Sequence, residues 1–516
     1  MDMKSGLEEL HRRRQKALRM GGKAKIDRQH KRGHLTARER IDKLLDPGTF
    51  LEMGILNQSD ISGMEDETPA DGNIAGFGRI DNRTVAVCAA DRTVLAGAEG
   101  RVGTFNKERR ITKIALEKGY PIINLGDGGG ARMPDIMGSD GLSSMTFPVE
   151  GLRYPRKVPL IATIMGDCFG GPSWMAAKAD FVVMVKGTCM AVSGPRVLET
   201  AIGEKVTPEE LGGWELHAEV TGQVDAFAED DEHCLRIVRE FLSYMPSHCD
   251  EEPPYVSTND RPNRKLDEVM DILPDDSNRS YDMHKIIKSI VDDGKHFPLK
   301  PYYDPSLITC LARMNGRTVG IIANQPLFFA GAGGAGACEK AASFIVLCDS
   351  FNIPLIFLHD TPGFFVGKEA ERRKMPGKII VWMEALALST VPKISIVVRK
   401  SYGMAYSNMA GTNCGADFLV AWPTADISFM MPQTGVNVVY HPVIQAAKDP
   451  QAERERLVKQ WEYQSAPWRA AAKHLLDDVI DPRDTRGFII TSLDILRSNG
   501  RGFMSKKYLQ AWPTVL

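Results

Sequence analysis

Two glycine-containing turns carry the clearest potential for chemistry in this sequence. The first is Cys168-Phe-Gly-Gly-Pro172, between the apolar run PLIATIMG and the helical segment SWMAAKA. The second is Tyr402-Gly-Met-Ala-Tyr406, between KISIVVR and AYSNMAG. Backbone N–H groups at the start of a helix point outward and can hold a developing negative charge. A single turn of this kind is more typical of tight packing, but two at corresponding places predict a pair of oxyanion-binding turns that serve one reaction.

Other polar residues at strand ends are weaker candidates. In GDGGGAR (126–132), Asp127 and Arg132 could contact a ligand or form a buried ion pair that shapes the turn. His359 and Asp360 could provide a general base, but no nucleophile lies near them in sequence, which favours a structural role. The sequence contains no Gly-x-Ser-x-Gly elbow, Walker A loop or metal-binding motif. The predicted chemistry therefore relies on backbone positioning, without a metal.

The elements that must position the two turns occur twice. GRIDNRTVAVCAAD (78–91) matches ARMNGRTVGIIANQ (312–325), and GYPIINLGDGGGAR (119–132) matches FNIPLIFLHDTPGF (351–364). The segments that contain the turns also match, as VPLIATIMGDCFGG and VPKISIVVRKSYGM. Matched residues are 234 apart for Thr84 and Thr318, and 233 apart for Pro121 and Pro354. This constant offset predicts a duplicated domain.

Short, apolar, β-branched runs alternate with helical segments in both halves, which predicts strands buried on both faces in an α/β fold. Glycine-rich turns follow the strand ends, where open α/β folds bind ligands. A proline- and charge-rich stretch separates the two copies. We therefore predict a helical arm at 1–45, a first domain at 46–250, a linker at 251–265 and a second domain at 266–516.

Bulk composition excludes several classes of protein. The net charge of the 516 residues is −2, so nothing global favours nucleic acid or an anionic membrane. No apolar stretch is long enough for a membrane helix, and no secretory signal is present. The nine cysteines form no C-x-x-C pair, which fits reduced thiols in a cytoplasmic protein. The basic residues of 1–45 could bind nucleic acid or lipid, but the narrow apolar stripe of this segment favours a solvated helical arm that packs on a neighbouring subunit.

Longer motifs then point to a family. LTARERIDKLLDPGTF (35–50), GGAR (129–132), ANQP (323–326), CEKAASFIVLCDSFNIPLIFLHDTPGF (338–364), VPKISIVVRKSYG (391–403) and AWPTADISFM (421–430) resemble carboxyltransferase β subunits of biotin-dependent acyl-CoA carboxylases. The resemblance covers nearly the whole chain. It implies two tandem crotonase-like (ClpP/crotonase) β-β-α superhelix domains, the first on the acyl-CoA side and the second on the biotin side.

The resemblance also implies an activity: carboxybiotin on a carrier protein provides CO₂, which an acyl-CoA enolate accepts at its α-carbon or vinylogous carbon. By motif position, Gly170 and Gly171 would hold the acyl oxyanion, and Met404 and Ala405 would hold the biotin ureido oxygen. The implied substrate-binding residues are Gly129, Gly130, Ala131, Arg132, Phe169, Trp174, Tyr406 and Ser407, and the implied biotin-binding residues are Gly363, Phe364, Tyr402 and Gly403.

The chain has neither a Met-Lys-Met biotinylation site nor an ATP-grasp signature. The resemblance therefore implies a biotin carboxylase and a biotin carrier protein as partners, with coenzyme A entering as part of the substrate. It also implies a homohexamer, a trimer of dimers, in which the first domain of one chain faces the second domain of its dimer mate.

The sequence departs from the family pattern at four places. Phe169 replaces alanine, and Met404 replaces glycine. LAGAEGR (95–101) replaces a longer Gly-Ser-Leu-Gly-Glu pattern, and KEAERRKMPGKI (368–379) replaces a more glycine-rich loop. Three alternatives stay open. A biotin-dependent decarboxylase subunit would run the same chemistry in reverse, and a non-catalytic scaffold would tolerate the changes at 169 and 404. A crotonase-type hydratase needs an acid at the active turn, and neither turn contains one.

Overall fold

The computed structural model describes residues 2–145, 156–277, 279–497 and 507–512. The chain divides into two compact units, Met1–Glu251 and Glu252–Gln510. Within the described ranges, every helix is too short or too polar to span a lipid bilayer.

Among its described residues, the first unit contains nine strands, seven of which form one sheet. The strands are β1 (Leu51–Met53), β2 (Asn73–Ile80), β3 (Arg83–Ala90), β4 (Ile122–Gly126), β5 (Leu160–Ile164), β6 (Cys168–Phe169), β7 (Phe181–Val185), β8 (Met190–Ala191) and β9 (Ala226–Ala228). The sheet order is β1-β2-β3-β4-β5-β7-β9, and β6 pairs with β8 in a separate two-stranded sheet. From β3 to β9 the pairs are parallel, as the apolar runs predict.

Helices connect these strands and cover the sheet. They are α1 (Met3–Leu18), α2 (Lys23–Lys31), α3 (Ala37–Leu44), α4 (Arg109–Lys118), α5 (Met133–Ile136), α6 (Gly138–Ser144), α7 (Gly171–Lys178), α8 (Pro195–Ile202), α9 (Pro208–Gly212) and α10 (Asp231–Tyr244), with π-helical segments at Arg101–Glu108 and Leu216–Val220.

The predicted arm is helical, but its third helix belongs to the core of the first unit. Thr36 and Glu39 form a capping box at the start of α3. Arg40 is 1% exposed and donates to Asp127 at 2.9 Å and to Asp231 at 2.8 Å. The prediction of a solvated arm that packs on a neighbouring subunit is therefore wrong for α3. A deeply buried arginine needs charged partners nearby, and those of Arg40 lie within the first unit.

The second unit repeats the sheet with eight strands among its described residues: β10 (His296–Leu299), β11 (Leu307–Met314), β12 (Arg317–Asn324), β13 (Leu355–Thr361), β14 (Lys393–Tyr402), β15 (Phe418–Ala421), β16 (Asp426–Ser428) and β17 (Asp478–Val479). The order is β10-β11-β12-β13-β14-β15-β17, and β16 pairs with β14. The helices are α11 (Val269–Ile272), α12 (Met283–Ile290), α13 (Ala335–Ser350), α14 (Lys368–Arg372), α15 (Met375–Leu388), α16 (Met404–Asn408), α17 (Pro432–Val439), α18 (His441–Ala446), α19 (Pro450–Ser465), α20 (Trp468–Ala471) and α21 (Thr485–Leu496).

The stretch predicted as a linker packs on the second unit. Val256 donates its N–H to Gly316 O at 2.9 Å, and Arg317 lies over the ring of Tyr255. Asp260 accepts from Arg264 at 2.8 Å. The proline and charge content of this stretch thus reflects an irregular surface segment with its own contacts rather than a free spacer.

Backbone register confirms the duplication. Each unit contains a hairpin, β2–β3 in the first and β11–β12 in the second. The turn residues Asp81-Asn82 and Asn315-Gly316 all have positive φ, as type I′ turns require. In the central parallel pair, Ile122 lies opposite Leu160 in the first unit, and Leu355 lies opposite Lys393 in the second. Both residues of that pair are displaced by 233 positions between the units.

One local difference between the units has a clear structural origin. The N–H of Gly103 donates to Asp71, and the N–H of Ala337, 234 residues later, donates to Asp304. Lys107 and Lys340, only 233 apart, each donate Nζ to two backbone carbonyls of their own unit. The first unit therefore holds one extra residue in this interval, and its π-helical turn accommodates it.

Candidate active-site turns

The first turn follows β6 and begins α7. Gly170 has φ 64° and ψ −119°, a conformation that disfavours residues with a side chain. Its N–H donates to Ala191 O at 3.3 Å. Within the described residues, the N–H of Gly171, the first residue of α7, has no hydrogen-bond partner. Of the two predicted acyl oxyanion donors, Gly171 is therefore the one that is free in this structure.

Glycines allow three backbone segments to meet beside this turn. A Cβ at Gly128 would lie 2.8 Å from Gly97 O, and a Cβ at Gly130 would lie 3.0 Å from Phe169 O. Gly130 also accepts the N–H of Glu99 at 2.8 Å and has φ 89°. The predicted Gly129–Arg132 segment thus lies next to the α7 turn, as a ligand-binding role requires.

The side chains predicted to bind substrate in the first unit have different surroundings. The ring of Phe169 packs against Gly194, where a Cβ would lie 3.1 Å from it. Trp174 is 53% exposed on α7. Arg132 is 3% exposed, and its guanidinium binds Asp71 at 2.7 Å and also Asp135. These contacts favour the alternative that Arg132 forms a buried ion pair that shapes the turn.

Sequence reasoning missed an acid beside this turn. A methyl group at Gly171 would stand 2.7 Å from Glu99 Oε2. Burial and the nearby carboxyl of Glu108 raise the pKa of Glu99 to about 8. Burial also raises the pKa of Glu108 to about 7, although a hydrogen bond from Asn73 opposes the shift. The sequence feature that could have pointed to Glu99 is the departure of LAGAEGR (95–101), which contains it, from the family pattern.

The second turn follows β14 and begins α16. Gly403 has φ 59° and ψ −144°, close to the conformation of Gly170, and its N–H donates to Ser428 O at 3.0 Å. Among the described residues, neither Met404 nor Ala405 has a partner for its backbone N–H. Met404 has ordinary helical backbone angles, so methionine presents this N–H without strain. Two adjacent free donors make this turn suited to one carbonyl or ureido oxygen.

Aromatic side chains support the second turn from inside the unit. The Tyr402 hydroxyl donates to Asp426, and the Tyr406 hydroxyl lies 2.6 Å from Thr412 Oγ1. Phe364 packs edge-on against Trp382 with ring centroids 6.0 Å apart, next to Gly363 at φ 124°. These contacts hold the aromatic side chains in fixed positions around the second turn.

His359 and Asp360 lie in the core of the second unit. His359 contacts the hydroxyls of Ser395 at 2.6 Å and Ser401 at 2.9 Å, and burial lowers its pKa to about 3. Asp360 pairs with Arg399 at 2.9 Å. Both residues are buried and hydrogen-bonded inside the protein, which supports the structural role that the sequence favoured.

Comparisons with known proteins identify the family of this chain. The carboxyl transferase domain family matches residues 28–509. The chain is 39% identical to a propionyl-CoA carboxylase carboxyltransferase subunit of Haloferax mediterranei, over 98% of this chain and 99% of that one. It is 36% identical to a methylmalonyl-CoA decarboxylase subunit alpha of Propionigenium modestum, over 97% and 98%.

A solved structure extends the likeness to the fold. The structure of transcarboxylase 12S, a hexamer with methylmalonyl-coenzyme A and methylmalonic acid bound, superposes with a TM-score of 0.91 at 37% identity and 98% coverage of both chains. The expected crotonase-like fold and the expected enzyme class are thereby confirmed. The chain belongs to the carboxyl transferase domain family and is a carboxyltransferase subunit of the biotin-dependent acyl-CoA carboxylase type.

Proposed function

We propose that this chain transfers CO₂ from carboxybiotin on a separate carrier protein to the α-carbon of an acyl-CoA. The observation that carries the proposal is the pair of duplicated turns with free backbone N–H groups, Gly171 in the first unit and Met404 and Ala405 in the second. Two carbonyl-type oxygens must be stabilised in such a reaction, and the chain offers one donor turn for each.

In the first unit, the Gly171 N–H stabilises the negative charge that develops on the thioester oxygen as the α-proton leaves and the enolate forms. This α-proton would pass to the ureido group that has released CO₂. The positive end of α7 adds to this effect because the helix dipole points its N-terminus at the same oxygen. Gly129, Gly130 and Ala131 leave room for the acyl-CoA to approach, since this segment carries no bulky side chain. Positioning and charge stabilisation are the contributions of the chain itself.

The second turn fits a ureido oxygen, because Met404 and Ala405 offer adjacent donors whose partners must come from outside the described chain. Biotin, when bound, supplies the activated carboxyl group. Gly403 and Gly363, both with positive φ, keep the backbone close to the ring. Tyr402 and Phe364 hold this region in place through their buried contacts.

The test is a single-turnover experiment with a carrier protein whose biotin bears a ¹⁴C-labelled carboxyl group. We expect the full chain to move the label to one member of an acyl-CoA panel that contains acetyl, propionyl, butyryl, branched and aromatic thioesters. In the matched control, the chain with ATP, labelled bicarbonate and the same panel should incorporate no label. No transfer from the carrier would favour the scaffold alternative, and labelling in the control would contradict the need for partner subunits.

The decarboxylase is the second candidate, because a decarboxylase subunit alpha is among the relatives at 36% identity. The two turns would serve the reverse reaction equally well. Transfer of label from [¹⁴C-carboxyl]methylmalonyl-CoA to unlabelled biotin carrier, faster than the forward reaction under matched conditions, would favour decarboxylation.

We also propose that the chain works as a hexamer with a biotin carboxylase and a biotin carrier protein. The hexamer of transcarboxylase 12S supports this assembly. All nine cysteines are free thiols, which supports a reducing compartment such as the cytoplasm. A monomer at micromolar concentration in light scattering would contradict the assembly.

A further inference from the structure

The carboxyl group of Glu99 lies over the N-terminus of α7, where the proposed function places the thioester oxygen. Its Oε2 atom is 2.7 Å from the position of a Cβ on Gly171. The free N–H of Gly171 is on the same residue. Among the described residues, neither carboxyl oxygen of Glu99 has a hydrogen-bond or ion-pair partner. An acid without a partner, held half-buried beside a free oxyanion donor, has hydrogen-bonding capacity to offer a ligand.

The second unit has glycine, Gly333, at the position equivalent to Glu99. Glu99 pairs with Ala131 in an isolated parallel bridge, and the equivalent bridge of the second unit joins Gly333 and Phe364. A Cβ at Gly333 would lie 3.0 Å from the Phe364 ring, so that position excludes a side chain. In the first unit the small Ala131 leaves the space in which the Glu99 carboxyl lies.

Burial, with a smaller contribution from the carboxyl of Glu108, favours the neutral form of Glu99. Together they raise the pKa of Glu99 to about 8. Cys168, on β6, is also close, but burial raises its thiol pKa well above its usual range. Lys107, on the same π-helical segment as Glu108, donates its ammonium to the carbonyls of Ala70 and Asn73, and the described residues show no ion pair between it and Glu99. Below about pH 8 the carboxyl therefore carries a proton that it can donate.

We propose that Glu99 is a further catalytic residue that donates a hydrogen bond to the acyl thioester oxygen, alongside the Gly171 N–H. This inference rests on the proposed function, since it needs an acyl-CoA at the α7 turn. The hydrogen bond strengthens as negative charge develops on the oxygen, so it stabilises the enolate more than the bound thioester. No proton is transferred to the substrate in this role.

The direct test is isotope-edited infrared spectroscopy of [1-¹³C]propionyl-CoA bound to the full chain. A hydrogen-bond donor lowers the thioester carbonyl frequency, so we expect a downshift in the wild type, most of that downshift in Glu99→Gln and a clear loss of it in Glu99→Ala. Glutamine is the matched control because its amide still donates but cannot ionise. An unchanged frequency in Glu99→Ala, with propionyl-CoA bound, would overturn the role of Glu99.

The pH dependence separates this role from a structural one. Only the protonated carboxyl of Glu99 can donate a hydrogen bond, and its pKa is raised to about 8. In the wild type, the downshift of the carbonyl frequency should therefore be lost as the pH rises through about 8. It should persist in Glu99→Gln. In Glu108→Gln the loss should move to lower pH, since the charge that raises the pKa of Glu99 is gone. A downshift in the wild type that does not change with pH would overturn the neutral-donor role.

Turnover gives a second readout through labelled-carboxyl transfer to the best acyl-CoA of the panel. Glu99→Ala should lower kcat by about 10²-fold with little change in KM, as expected for one oxyanion donor. Equal losses in Glu99→Gln and Glu99→Ala would contradict the proposal. If the wild type bound no propionyl-CoA and moved no label, the proposed function itself would fall; normal turnover in Glu99→Ala would remove Glu99 alone.

Discussion

The two units place a buried aspartate at the same point of the fold and neutralise it with different arginines. In the second unit, Asp360 pairs with Arg399 on the neighbouring strand β14 at 2.9 Å. In the first unit the position equivalent to Arg399 is Gly166, where any Cβ would overlap the Asp127 carboxylate. Arg40 comes instead from the N-terminal helix α3 and donates to Asp127 at 2.9 Å.

The two units therefore keep the buried aspartate but differ in the arginine that pairs with it. Asp127 lies directly before the Gly128–Gly130 segment, so its ion pair supports the backbone that lies beside the first turn. Gln29, on α2, also donates to Asp127 at 2.8 Å. Asp127 thus has partners in the N-terminal segment 29–40, whereas the main cation of Asp360, Arg399, lies on the adjacent strand of the same sheet. We expect changes in the N-terminal helices to affect the first turn, proposed to bind acyl-CoA, more than the second turn, proposed to bind biotin.

The largest expected effect is that of Arg40→Met on stability. The substitution removes the buried cation that Asp127 and Asp231 share. It leaves Asp127 with Arg92 at 3.5 Å and Asp231 with His34 at 3.1 Å. Breaking a buried pair in this way costs about 3–5 kcal/mol. We expect a clear fall in the urea midpoint of the full chain, followed by tryptophan fluorescence. Lys43→Met on the same helix is the matched control, because the Lys43–Glu232 pair is exposed and worth about 1 kcal/mol or less. Equal midpoints for the two variants would show that the arm does not stabilise the first unit.

Some of these features were predictable from the sequence, and others were not. The apolar runs around Ile122 and Leu355 predicted the parallel strands, because burial on both faces leaves a continuous apolar pattern. The repeat predicted the equivalence of Gly170 and Gly403, which have nearly the same φ. The Arg40–Asp127 pair was not predictable, since it joins residues 87 positions apart and a lone arginine in a basic segment has no local signal.

The backbone of the two candidate turns was predictable from sequence, whereas the side chains around them were not. Glycine and proline patterns predict turns through local φ preferences, so both turns were identified from sequence. Glu99 approaches the first turn from a segment some 70 positions earlier, and its proximity to Gly171 depends on how three loops meet. Such a contact is set by tertiary packing, for which a single sequence has no periodic signal.

The second largest effect should come from valine at the two turn glycines. Gly170 and Gly403 have φ of 64° and 59°, a region that β-branched residues avoid, so valine would displace the free N–H groups that follow. We expect Gly170→Val to lower turnover by about 10²-fold or more, through the acyl-CoA turn. Gly403→Val should lower transfer from the biotin carrier by a similar factor without weakening acyl-CoA binding. Near-normal turnover in a folded Gly170→Val variant would remove this turn from the mechanism.

A smaller effect should follow substitution of Ser407, which family position places beside the acyl chain. Ser407→Ile adds apolar bulk to α16, and a change of one or two methylene groups in an apolar pocket is worth roughly 1–3 kcal/mol. We expect kcat/KM to fall more for longer acyl-CoAs than for propionyl-CoA, measured across the panel. Equal losses at every chain length would show that Ser407 does not line the acyl pocket.

The smallest effect should be that of Met404→Gly, which restores the family residue. Met404 begins α16 with ordinary helical angles, and its side chain is 49% exposed, so the substitution changes neither the N–H donor nor a buried contact. Glycine adds backbone freedom at a helix start, which weakens the turn by at most about 1 kcal/mol. We therefore expect less than about a fivefold loss of turnover, in contrast to Gly403→Val one position earlier. A large gain in turnover would instead show that the Met404 side chain obstructs the second turn. The two turns would then differ in how well they stabilise an oxyanion, and not only in the arginines that pair with Asp127 and Asp360.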